Sequence, residues 1–272
     1  MPEASWRQSN IAFADWAASE TTALTHLAPQ LRATVAEGTV TAWFLMRKHP
    51  CWRIRYQLAD PGRDPLPPAL DILTAQGHIT GWTRSVYEPE THAFGGPKAM
   101  EIAHHLFHHD SHSLTIHYQD NSRRRNEASL LLCALLMRSA GLDWYEQGDV
   151  WARVGNHRPL PEAASADRHE TAVRRLISVN AEELMRPGAA LAHLADWAQT
   201  YVHAGTSLSR LAATGHLHRG LRDVLAHHVL FAWNRAGLPY AVQAAIAAAA
   251  RAVVFGPDPT TGRRTQHRAD TV

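Results

Sequence analysis

Residues 39–58 read TVTAWFLMRKHPCWRIRYQL, and this stretch decides the class of fold. Thr39 to Met46 is rich in β-branched and aromatic residues and reads as a buried strand. After the turn at Lys48-His49-Pro50, Cys51 to Leu58 alternates between two faces, so the two segments predict a hairpin. The alternation has period two. It puts Trp52, Ile54 and Tyr56 on one face and leaves Arg53 and Arg55 together on the other.

Toward the N-terminus, Ile11 to Ala36 carries Phe13, Trp16, Leu24, Leu27, Leu31 and Val35 near helical spacing and predicts a helix stopped by Gly38. Toward the C-terminus, Asp60 to Pro68 has four prolines and a glycine and reads as a loop. Leu70 to Gln76 fits a short helix and Ile79 to Tyr87 a third strand. The turn Phe94-Gly95-Gly96-Pro97 leads into a helix from Lys98 to about His108, with Pro97 suited to its first turn. Ala128 to Ser139 is apolar almost all round, as in a buried helix, and Gly141 is placed to end it. Asn156 to Ala166, with Pro159 and Pro161, reads as an internal linker. Helices follow over Asp167 to Val179, Ala189 to Ala204, Leu221 to Trp233 and Ala241 to Val254. Strands come early and helices late. The expected fold is therefore α+β, a small mostly antiparallel sheet in the N-terminal half packed with a helix-rich C-terminal half. Residues 1–256 read as a single domain and residues 257–272, polar and proline-containing, as a disordered tail.

The composition narrows the function classes. A hydrophobic share of 45% and a charged share of 19% are those of a soluble globular protein, and no apolar run reaches the length that crosses a bilayer. MPEASWRQSN has no basic segment followed by an apolar one, so secretion is not indicated. Cys51 and Cys133 cannot build a disulfide framework or a cysteine-rich zinc site, which points to reduced thiols in the cytoplasm. A net charge of +2 does not by itself predict nucleic-acid binding, and no membrane contact is expected. No G-x-S-x-G, P-loop or dinucleotide fingerprint is present, so common hydrolases, kinases and nicotinamide enzymes have no support.

Several groups can carry chemistry, each beside a plainer reading. Arg53 and Arg55 can each grip a carboxylate bidentately, or can be solvated arginines on an exposed sheet face. Tyr87-Glu88-Pro89-Glu90-Thr91-His92-Ala93-Phe94-Gly95-Gly96-Pro97 has the look of an active-site rim. It is equally an ordinary turn in which Gly95-Gly96 supply positive φ angles. His104/His108 and His105/His109 have the four-residue spacing that places two imidazoles on one helix face. HExxH is absent and spacing fixes no third ligand, so packing, surface exposure or capping by Asp110 or Ser111 stands against a metal site. Arg123-Arg124-Arg125 can contact phosphate or form a solvated face. Ala226 to Arg235 puts His227 and His228 inside an apolar helix, where a buried imidazole needs a partner; Asn234-Arg235 could cap that helix.

In order, WFLMRKHPCWRIRY, YEPETHAFGGPKAMEIAHHLFHHDS and LRDVLAHHVLFAWNRAGL resemble one family, from roughly Trp6 to Phe255. It is that of the thiopeptide-type bacteriocin biosynthesis proteins, similar to the C-terminal glutamate-elimination domain of lantibiotic dehydratases. The resemblance implies a lyase acting on a glutamylated ribosomal precursor peptide, with no cofactor. It would expel glutamate from Ser or Thr side chains to leave dehydroalanine or dehydrobutyrine. It further implies a separate partner that performs the glutamyl-tRNA-dependent glutamylation, and no direct contact with nucleic acid. Arg53 and Arg55 match the family's paired strand arginines and would hold the glutamyl carboxylates. His228, named before His227, would transfer the α-proton. Glu90, His92 and Arg235 would join Arg53 and Arg55 in binding substrate. The lantibiotic relatives often carry an arginine directly before the aromatic-Gly-Gly, where this chain has Ala93, with His92 beside it. They place a histidine nearer the Asn-Arg pair, where this chain has Ala232.

Two other functions are compatible with the same blocks. Pyridine synthases of thiopeptide pathways resemble this domain and join two dehydroalanines in a formal aza-[4+2] cycloaddition, with less need for glutamate-holding arginines. A non-catalytic subunit that binds the precursor peptide is the third reading.

Overall fold

The computed structural model describes residues 6–117, 122–161 and 167–256. It is α+β as expected, with four antiparallel strands ordered β2-β3-β1-β4 and helices dominating the rest. β2 (Val40–Lys48) and β3 (Cys51–Leu58) form the hairpin read from residues 39–58. β4 (Gly81–Ser85) is the third strand expected over Ile79 to Tyr87.

The helix expected over Ile11 to Ala36 is corrected at its start. Residues Trp6–Ala12 form β1, which lies between β3 and β4, and helix begins only at Ser19. α1 (Ser19–Thr22), a π-helical stretch (Ala23–Leu27) and α2 (Ala28–Ala36) then run on to Glu37. Two ladders claim the backbone of Ile11, and that outweighs the faint helical spacing of its neighbours.

Other boundaries also move. α3 (Leu66–Ala75) starts inside the expected loop, because Pro67 and Pro68 fit a first helical turn whose N–H groups need no intrahelical partner. α4 (Pro97–His117) runs two turns beyond His108. Asp110 and Ser111, considered as caps, are therefore interior: Ser111 Oγ accepts the Leu45 N–H of β2 at 3.2 Å. α5 (Ser122–Ser139) is buried through its apolar half, as expected. α6 (Trp144–His157) has no counterpart in the sequence reading. Its signature was there: Asp143 accepts the Glu146 N–H and Glu146 accepts the Asp143 N–H, a capping box. The expected linker at Asn156 to Ala166 starts within α6 and ends in residues outside those described. α7 (Asp167–Ser178), α8 (Ala181–Leu184), α9 (Ala195–Ala213), α10 (Leu221–Ala236) and α11 (Tyr240–Phe255) complete the chain. The 257–272 tail and the side chains of Arg123 and Arg124 also lie outside the described residues. Arg125 is ion-paired with Glu20.

Each face of the sheet has its own core. Ile11, Trp43, Leu45, Trp52, Ile54 and Tyr56 pack against Leu27, Leu31 and α3. Phe44 and Met46 point the other way, onto Phe94, Met100, Ala103 and Phe107. A third, larger core fills the helical half around α5. Both cysteines are free, and no helix among the described residues is long and apolar enough to cross a membrane.

Candidate functional site

The second face of the sheet is where polar groups gather. Strand alternation brings Gln8 opposite Arg55 and Asn10 opposite Arg53. The Arg55 Nε donates to Gln8 Oε1 at 2.8 Å, and Gln8 Nε2 donates to Asn10 Oδ1 at 3.0 Å. The Arg55 guanidinium lies over the rings of Tyr87 at 4.8 Å and Phe44 at 5.3 Å. Its Nη groups donate to none of the described residues. Burial pulls the Arg55 pKa down, while Tyr87 and Glu90 oppose the fall and Arg53 adds to it. A second anion here would therefore be welcome.

Tyr87 and His104 share a hydrogen bond of 2.8 Å between the phenol oxygen and Nε2. Burial, reinforced by Arg55, drives the His104 pKa to about 4, so the imidazole is neutral near pH 7. Burial also pushes the Tyr87 phenol up, so the protonated phenol prevails. Trp6 closes this side at 4.3 Å from the His104 ring.

The opposite rim is a carboxylate–imidazole pair. His227 Nε2 lies 2.8 Å from Glu90 Oε2, with Glu90 about half exposed. The hydrogen bond from His227 holds the Glu90 carboxyl below its ordinary range against a desolvation cost, helped by Arg55 and Lys48. Glu90 is held in turn by the 91–96 turn. Gly95 and Gly96 have φ of +92° and +109°, as the plainer reading of that segment required. The turn is clamped from outside: His218 N–H donates to Gly95 O at 2.8 Å and Arg219 donates to Ala93 O at 3.3 Å.

His228 lies one residue from His227 but faces inward. It is 1% exposed, packs edge-on against Phe94 and near Phe107, and neither ring nitrogen has a partner among the described residues. Burial, with Arg235 and His227 adding to it, lowers its pKa to about 3. Arg235 is fully buried. Its Nε donates to Asp110 at 2.6 Å and its guanidinium lies 4.3 Å from the Phe107 ring. Asp110 also accepts from Trp197 and Tyr201, so the pair locks α4, α9 and α10 together rather than capping α10. His92 is exposed, and none of the hydrogen bonds or ion pairs above includes its side chain.

The structure thus gathers Arg53, Arg55, Glu90 and His227 around one face. It places His228 and Arg235 behind the Phe94–Phe107 layer and His92 outside. Tyr87, His104 and Gln8 were not singled out from sequence. Tyr87 and His104 lay within the rim and histidine cluster that were noticed, while Gln8 lies in β1, of which only Ile11 and Ala12 were read, as the start of a helix.

Fold and site together define an α+β domain with a cation-bearing sheet face and a carboxylate–imidazole rim, an arrangement that can hold an anion beside a proton acceptor. The profile described as lantibiotic biosynthesis dehydratase C-term matches residues 6–254, and the chain belongs to that family. Among solved structures, it is similar to the tRNA-dependent lantibiotic dehydratase MibB from Microbispora sp. 107891, at 16% identity and a TM-score of 0.67. That match covers 99% of this chain and 29% of the MibB chain. TsrL is similar at 14% identity and a TM-score of 0.59, with 94% of this chain and 99% of TsrL covered. At these identities the likeness concerns the fold. No curated protein matches the chain.

Proposed function

We propose that this chain eliminates glutamate from glutamylated Ser and Thr side chains of a ribosomal precursor peptide, leaving dehydroalanine or dehydrobutyrine. The observation that carries the reading is the Arg55 guanidinium, fixed at Nε by Gln8 and with no hydrogen bond from its Nη groups among the described residues, beside the Glu90–His227 pair. Family membership sets its context.

In the reaction a base takes the Cα proton and the C–H electrons move onto the adjacent carbonyl as an enolate. They return to form the Cα=Cβ bond as the Cβ–O bond breaks, and glutamate leaves as a carboxylate with that bond's electrons. His227 is the base in this scheme, oriented by Glu90. It takes the role that the family resemblance suggested for His228, because His228 is sealed behind Phe94. Arg55, with Arg53 beside it, seats the departing carboxylate bidentately. Tyr87, kept protonated, can hydrogen-bond the carbonyl on which charge develops. His92 and Arg235 bind no substrate in this scheme. The glutamylated peptide would come from a separate glutamyl-tRNA-dependent protein in the cytoplasm, as the family resemblance suggests.

The test is incubation with a glutamylated precursor peptide and mass spectrometry of the product. Loss of glutamate with appearance of a dehydrated residue supports the reading. A macrocycle formed from an already dehydrated peptide, with no action on the glutamylated one, would replace elimination by cycloaddition.

A further inference from the structure

Away from the polar face, the outer side of α4 carries two more histidines. His105 and His109 stand one turn apart with their Nε2 atoms 3.2 Å from each other and ring centroids at 4.4 Å. His105 is exposed and His109 half-buried. We propose that His105 and His109 form a bidentate seat for a divalent transition-metal ion of the zinc, nickel or copper type.

The four-residue spacing puts both imidazoles on one helix face. An ion about 2.0–2.1 Å from each nitrogen requires an N···N separation of roughly 2.9 Å at a right angle and about 3.4 Å at the tetrahedral angle. The observed 3.2 Å falls between the two. The helix therefore holds both donors at the bite of one ion before it arrives, which keeps the ordering cost small. Imidazole suits these metals, with copper bound most strongly. His108 is turned away, its Nδ1 lying 3.2 Å from both the backbone nitrogen and the oxygen of Trp43. No group of three candidate ligands occurs among the described residues, so water completes the coordination shell. Without metal, the same geometry is a hydrogen bond between the two rings, which an ion would replace.

Calorimetric titration of the full chain, carrying no polyhistidine tag, with nickel or copper chloride tests the proposal. The expected result is a site of 1:1 stoichiometry, two-nitrogen hyperfine coupling in the copper spectrum, and a raised melting temperature with metal. His105→Ala and His109→Ala should each weaken that site by roughly tenfold or more, since each leaves a single donor. His216→Ala, at an exposed histidine whose ring bonds Thr214, should leave it unchanged. Alanine suits a helix, and melting without metal checks that each variant folds. His109→Gln replaces His109→Ala if the latter does not fold. Identical affinity and spectrum in the wild type and in the His105 and His109 variants overturn the proposal.

Discussion

At the scale of single residues, the site depends on geometry as much as on charge. Arg55→Lys keeps the cation but loses the planar fork and the Nε bond to Gln8. Glutamate release should fall by about 10²-fold, as when one preorganised donor to developing charge is lost. His227→Ala removes the proposed base and should cost on the order of 10²–10⁴-fold, with Glu90→Gln intermediate. His228→Phe, a change within an aromatic layer, should keep most of the activity. Initial rates of glutamate release by mass spectrometry rank the four variants. An active His227→Ala together with an inactive His228→Phe returns the base to His228. Arg53 and Arg55 were legible in the sequence because strand alternation is a local rule. The choice between His227 and His228 was not legible, since it depends on which side of Phe94 each ring falls.

At the scale of elements, close backbone approaches decide what the helices and turns tolerate. An added Cβ at Gly205 of α9 would sit 2.4 Å from the Leu136 carbonyl oxygen of α5, so Gly205→Ala must push the two helices apart. Strain of that kind costs roughly 1–3 kcal/mol and exceeds the ~1 kcal/mol gain in helix propensity. Gly155 of α6 has nothing within 4 Å, so Gly155→Ala should instead stabilise, by up to ~1 kcal/mol. Opposite shifts in the urea midpoint check both. At Gly95 a Cβ would meet Leu217 at 2.6 Å and Val224 at 2.9 Å, with φ already at +92°. Gly95→Ala should cost about 1–3 kcal/mol and displace Glu90, lowering elimination as well as the midpoint. The hairpin and the late helices were legible because their patterns are strong over their own length, although α9 begins at Ala195 rather than Ala189 and runs past the expected Ala204 to Ala213. β1 was not: it shows Gln8 and Asn10 to the site and Ser9 and Ile11 to the core, so its period of two is blurred by polar residues on both faces. Only the strands on either side of it, far along the chain, make it a strand.

At the scale of the whole molecule, the sheet meets the helical half through the aromatic layer of Phe44, Phe94, Phe107 and Phe231, and His228 is a titratable group sealed against it. Asp110–Arg235 lies just behind and fixes the packing of α4 and α10. The charged and titratable groups that act on His228 are Arg235 and His227, and both favour its neutral form, as burial does. Its folded pKa of about 3 lies below the roughly 6.5 of an unfolded chain. Between those values the unfolded state binds a proton that the folded state refuses, so stability falls as pH drops through 6.5 toward 3. Near pH 5 this one residue should cost about 2 kcal/mol relative to pH 8. His228→Phe removes the proton linkage and fills a site where both ring nitrogens lack a partner among the described residues. The stability difference between variant and wild type should therefore grow by about 2 kcal/mol from pH 8 to pH 5, measured by urea unfolding at both values. A difference independent of pH would mean that the imidazole binds its proton as readily inside the fold as in the unfolded chain.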